Sequence, residues 1–129
     1  MEESAGKESN RDKSPEEILM QSKYEANRPI TVVEASDEII SIFCELHGGV
    51  EAAMPLIAYQ FKKANVDFAN PTKEGLQKVA EGLVKVTEFL KGRKLAEKEE
   101  KRFNHLIKMI WKYPKLTWHL LKHRFSQQV

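Results

Sequence analysis

Cys44 and His47 stand three residues apart near the end of one apolar-periodic segment, so their side chains can face the same way on a helix. A thiolate beside an imidazole is the smallest unit of cysteine nucleophilic catalysis, and half of a metal site. Packing is the simpler reading. Cys44 follows Ile42 and Phe43, and free cysteine is among the most often buried residue types. His47 adjoins Gly48-Gly49, where a histidine can bind the open carbonyls of a helix end. A helical histidine beside a glycine could instead accept a phosphoryl group, but that chemistry wants the histidine in mid-helix, and here two glycines end the segment at once.

His119 and His123, at i and i+4, could share one metal ion from one helical face. Zinc needs three or four protein ligands, and no Cys, Asp or Glu follows Glu100, so a solvated histidine pair is expected there. The residues therefore predict no catalytic centre, no metal and no cofactor, and the chain reads as a non-enzyme.

Residues 101–125 carry the strongest signal for a partner. Seven permanent cations, Lys101, Arg102, Lys108, Lys112, Lys115, Lys122 and Arg124, interleave with Phe103, Trp111, Tyr113, Trp118 and Phe125. Cations with Trp and Phe between them suit an acidic groove on another protein, an anionic membrane surface, or nucleic-acid phosphates with aromatics free to stack. Self-packing is the competing reading: Trp111 and Trp118 would then be core or lid, and the cations would solvate the outer face. The binding residues expected from this stretch are Lys101, Arg102, Lys108, Trp111, Lys112, Lys115, Trp118, Lys122 and Arg124.

Charge along the chain points the same way. The 129 residues carry 21 Lys and Arg against 19 Asp and Glu, a net +2 that names no polyanionic partner. Residues 1–50 nevertheless hold eleven acids and five bases, residues 51–100 eight and nine, and residues 101–129 seven bases with no acid. A protein partner or a second copy is expected first, with nucleic acid or an anionic membrane as rivals. Residues 36–64 also have the outline of a helix-turn-helix, two helices meeting at Gly48-Gly49. A recognition helix must show polar side chains to base edges, though, and Val50 to Ile57 are mostly apolar. No run of eighteen apolar residues exists and the first residues are charged, so neither a transmembrane helix nor a signal peptide is expected, and a cytoplasmic location follows.

The elements that must position these residues are all helical. Residues 1–13 hold too few apolar side chains to offset the entropy of ordering them, and are expected to be a disordered tail. Ser14-Pro15-Glu16-Glu17 has the spacing of a capping box and opens a short arm over 14–30, helical to about residue 26. Thr31 and Glu34 repeat that box ahead of an amphipathic helix over 31–47. Val50 to Ala64 has an apolar arc so wide that it reads as the central core helix, with Pro55 either in its first turn or at a kink.

Asn65 to Asn70 reads as a loop with Val66 and Phe68 pinned to the core. Asn70-Pro71 then opens a long helix to residue 91, with Phe89 on its apolar face and Thr87 filling one place in the apolar rhythm. Gly75 and Gly82 lie on one side of it, where a close helix crossing would compensate their low helix propensity. Gly92 stops it, and a charged helix over 94–112 follows until Pro114. Residues 114–129 form a basic aromatic C-terminal helix and tail. The expected fold is all-α: an antiparallel bundle core over 31–113 of about four main helices, with a short extra helix near each terminus. No motif or spacing in the chain names a family.

Overall fold

The computed structural model describes residues 14–20 and 29–110. Within them the chain is all-α, with four main helices and a short one. These are α1 (Pro15–Met20), α2 (Val32–Leu46), α3 (Val50–Lys63), α4 (Lys73–Lys91) and α5 (Arg93–Lys108). The tail at 1–13, the continuation of the arm over 21–28, and the C-terminal helix expected over 114–129 lie outside the described residues.

Local chemistry sets most of the boundaries. Glu17 N–H donates to Ser14 Oγ at 3.2 Å while Ser14 N–H donates to Glu17 Oε1 at 3.0 Å. Thr31 and Glu34 form the same reciprocal pair at 3.0 and 2.9 Å. Each box satisfies two amides that the first helical turn leaves open. The long helix α4 starts two residues later than Asn70-Pro71 suggested, because Thr72 is its cap and accepts from Gly75 N–H at 3.0 Å.

At the other ends, Gly48 and Gly49 take φ of 89° and 107°, and Gly49 N–H returns to the Cys44 carbonyl at 2.7 Å. Asn65 plays the glycine part after α3 at φ 58°. Asn65 N–H reaches Lys62 O and Val66 N–H reaches Phe61 O, closing a Schellman motif. Gly92 alone joins α4 to α5. The two helices therefore fold straight back on each other and make the most extensive pairing among the described residues. Helix α5 ends at Lys108, before the expected stop at Pro114. Met109 O there accepts from Ile30 N–H at 3.0 Å, and the chain entering α2 is tied to the chain leaving α5.

The centre of the fold is α2, not the 50–64 segment that its wide apolar arc suggested. Helix α2 packs on all four other helices of the described residues and buries Ala35, Ile39, Ile42, Phe43, Cys44 and Leu46. Helix α3 buries Ala53, Ile57, Gln60 and Phe61, while Val50 and Tyr59 face outward at 62% and 60% exposure. Pro55 lies inside α3 on its exposed side. Ile18 and Leu19 dock the six-residue α1 onto α2 and α5, which a helix that short requires to persist in water. Phe103, Leu106, Leu76, Val79 and Leu83 complete the core from α5 and α4.

Candidate functional site

Three polar side chains from three helices meet in the interior. Thr87, wholly buried on α4, has its Oγ1 2.8 Å from His47 Nε2 and 3.0 Å from Glu99 Oε2. His47 caps the C-terminus of α2, and its ring lies against Phe43 with centroids 4.1 Å apart. Glu99 is also wholly buried, and its Oε1 has no hydrogen-bond partner among the described residues. Burial pushes the Glu99 carboxyl up from 4.5 to about 8, the Thr87 hydrogen bond opposing. Burial, with the nearby Lys91 ammonium adding, pushes the His47 ring down from 6.5 to about 4. At neutral pH the carboxyl is therefore protonated and the imidazole is neutral.

The site of the Glu99 proton and the His47 tautomer together set the polarity of the chain of bonds. Thr87 Oγ1 donates to Glu99 Oε2 when that oxygen carries no proton; a Glu99 protonated on Oε2 can donate to Thr87 instead, whose single hydroxyl proton then goes on to His47 Nε2, leaving the histidine proton on Nδ1. An ionised Glu99 accepts from Thr87 instead, and Thr87 accepts from a His47 that carries its proton on Nε2. The neutral arrangement accounts for the unpartnered oxygen. An orphan carboxylic-acid carbonyl costs about 1–3 kcal/mol, far less than an orphan buried charge.

This constellation is poorly placed for chemistry on a substrate. Thr87 occupies the centre, where a nucleophilic relay would need the histidine, and its hydroxyl is sealed from solvent. The two members of the Cys44 and His47 pair considered from sequence are engaged elsewhere: His47 bonds to Thr87, and Cys44 is buried in the core at 5% exposure, its thiol pushed up by burial and by Glu45.

Beside it, Arg102 on α5 meets Glu38 on α2 at 3.6 Å, both largely covered. Burial lowers the Arg102 pKa and the Glu38 charge opposes that. Of the binding residues expected from sequence, Lys101 and Lys108 are exposed, whereas Arg102 is turned inward to this ion pair. Trp111, Lys112, Lys115, Trp118, Lys122 and Arg124, with His119 and His123, lie outside the described residues. Among the described residues no cluster of three metal-ligating side chains occurs and no helix is long and apolar enough to cross a membrane.

The surface holds a feature that sequence periodicity misplaced. Phe89, assigned to the apolar face of its helix, is 87% exposed, and Leu90 beside it is 53% exposed. With Leu56 and Val86 they wall a groove of about 390 Å³ between α3 and α4, and Lys63 and Lys85 stand in the same lining. Gly82 and Gln60 form its floor, where a β-carbon at 82 would run into the Gln60 amide. That glycine marks the close approach of two helices expected from its spacing; Gly75 instead accommodates Val66 of the loop. On the other side of α4 a second groove is lined by Glu81, Glu88, Glu97 and Glu100 with Lys85 and Arg93.

The first half of α3, read as a possible recognition helix, exposes Val50, Glu51, Ala52 and Pro55. That face has one acid and no donor for a base edge. Comparison with protein-family models, with curated proteins and with solved structures finds no match.

Proposed function

We propose that the chain is a non-enzymatic helical interaction module whose contact surface includes the groove between α3 and α4. The observation that carries this reading is the pair Phe89 and Leu90, two large apolar side chains at 87% and 53% exposure flanking an apolar concavity. Clustered apolar exposure beside a groove is the usual mark of a partner site, whereas isolated apolar residues on a surface mean little. Lys101 and Lys108 are weaker support, since exposed ammonium groups are what any solvated helix face displays. The sealed position of Thr87 and Glu99 also favours a structural role for the interior polar chain over a reacting centre.

The test is selection from a displayed library of random helix-forming peptides on the full-length protein and on the Phe89→Ser, Leu90→Ser double variant. Both replaced side chains are exposed, so the variant should keep its helical signal and urea midpoint. Enrichment on the wild type and its loss on the variant is the expected result. Peptides that bind both proteins equally would overturn the reading.

A further inference from the structure

We infer that the occupant of the α3–α4 groove is an amphipathic helix of a partner protein that carries carboxylates beside its apolar anchors. The inference rests on the interaction-module reading and adds the chemistry of the partner. Two properties of the groove lead to it. Its walls are the aliphatic side chains Leu56, Val86 and Leu90 with one aromatic, Phe89, which suit interlocking side chains of a helix better than the flat faces of bases. Along α4 the lining runs from Gly82 to Leu90, about 12 Å at 1.5 Å per residue, enough for about two turns of a docked helix with anchors at i, i+3 or i+4, and i+7.

The second property is charge. Lys63 and Lys85 are the ionisable side chains of the lining, with no acid among them, and among the described residues no carboxylate forms an ion pair with either. Lys63 sits in the last turn of α3, where the helix dipole alone favours a cation. Lys85 lies in the middle of α4 and has no such reason. Lys85 lines both the apolar groove and the acidic one, where Glu81 and Glu88 partly offset its charge. An apolar slot with cations and no anions in its lining is complementary to an apolar stripe flanked by Asp or Glu, and repels a basic helix.

The selection described above yields the probes. Peptides enriched on the wild type should show apolar residues at helical spacing with Asp or Glu alongside. A synthetic copy of one such peptide should bind about tenfold more weakly when its acids become Asn or Gln, and the Lys63→Glu, Lys85→Glu double variant should lose a comparable factor. The same variant should regain affinity for a copy with the acids changed to Lys. Sedimentation of the full chain with and without Phe89→Ser measures the alternative occupant, a second copy.

Peptides that need Phe89 and Leu90 but carry no acidic bias, or that bind Lys63→Glu, Lys85→Glu unchanged, would overturn the acidic partner and leave the module reading standing. Self-association abolished by Phe89→Ser would replace the partner with a second copy. Absence of any enriched peptide, or binding indifferent to Phe89 and Leu90, would overturn both.

Discussion

Glu99 should make the fold lose stability as pH rises through neutrality. Its carboxyl titrates at 4.5 ordinarily and at about 8 in the fold. Below pH 4.5 both folded and unfolded chains hold the proton, so the group gives no slope. From 4.5 to about 8 the unfolded chain ionises first, and stability falls by about 1.4 kcal/mol per pH unit. Above about 8 both states are ionised and the slope ends. His47 acts with the opposite sign: its ring is lowered from 6.5 to about 4, so the unfolded chain takes up a proton first and stability is lost as pH falls below 6.5. The Cys44 thiol, raised from 9.0, comes into play above the range of both.

Between pH 6.5 and about 8, then, Glu99 acts alone among these three, at a cost of about 2 kcal/mol across the window.

The assay is urea unfolding followed by helical circular dichroism, on wild type and Glu99→Gln at both ends of that window. In the variant the amide nitrogen can take the place of Oε2 and donate to Thr87, while its second hydrogen is buried without an acceptor at about 1–3 kcal/mol. That penalty is the same at both pH values, so the difference in slope between the two proteins isolates the carboxyl. Wild type should lose about 2 kcal/mol more than Glu99→Gln from pH 6.5 to 8. Nitrogen NMR of the His47 ring gives a second readout: where Glu99 donates to Thr87, the proton should sit on Nδ1 between about pH 4 and 8, move to Nε2 above 8, and stay on Nδ1 in Glu99→Gln. Equal slopes would refute a buried neutral acid at position 99, and a His47 tautomer indifferent to pH across 8 would refute its donation to Thr87.

Two further outcomes follow from the described contacts. Thr31→Ala removes the Oγ1 that accepts from Glu34 N–H at the start of the central helix and should lower stability by about 1 kcal/mol in the same urea assay; a loss below a few tenths would mean the cap is not formed in solution. Cys44, at 5% exposure with a raised pKa, should react with a thiol reagent in the native protein orders of magnitude more slowly than in urea, and rapid native labelling would place that side chain at the surface.

The parts of the fold legible in the sequence are those whose cause is local. Ser14 with Glu17, Thr31 with Glu34, and the glycines at 48, 49 and 92 act within four or five residues of themselves, so type and spacing suffice to place helix ends. Which helix is central is a different question, because it depends on neighbours. The wide apolar arc of 50–64 includes Val50 and Tyr59, which face outward, and counting apolar residues cannot separate a face that meets another helix from one left for a partner. The same ambiguity hid Phe89, which is apolar and in register with nothing of this chain's core.

The interior polar chain joins residues 40 and 12 apart in sequence, beyond any local rule. Yet its members leave a trace. Ala96, Glu99, Phe103, Leu106 and Ile110 follow spacings of three and four, which puts Glu99 on the buried stripe of a helix otherwise read as a run of surface charge. Thr87 keeps the same register between Leu83 and Leu90. A carboxyl and a hydroxyl standing at core positions on adjacent helices must find each other or go unbonded, since a buried polar group without a partner is costly. The polar residue that breaks an apolar rhythm in register, rather than the cysteine and histidine that resemble a reactive pair, is the feature from which this part of the interior could have been read.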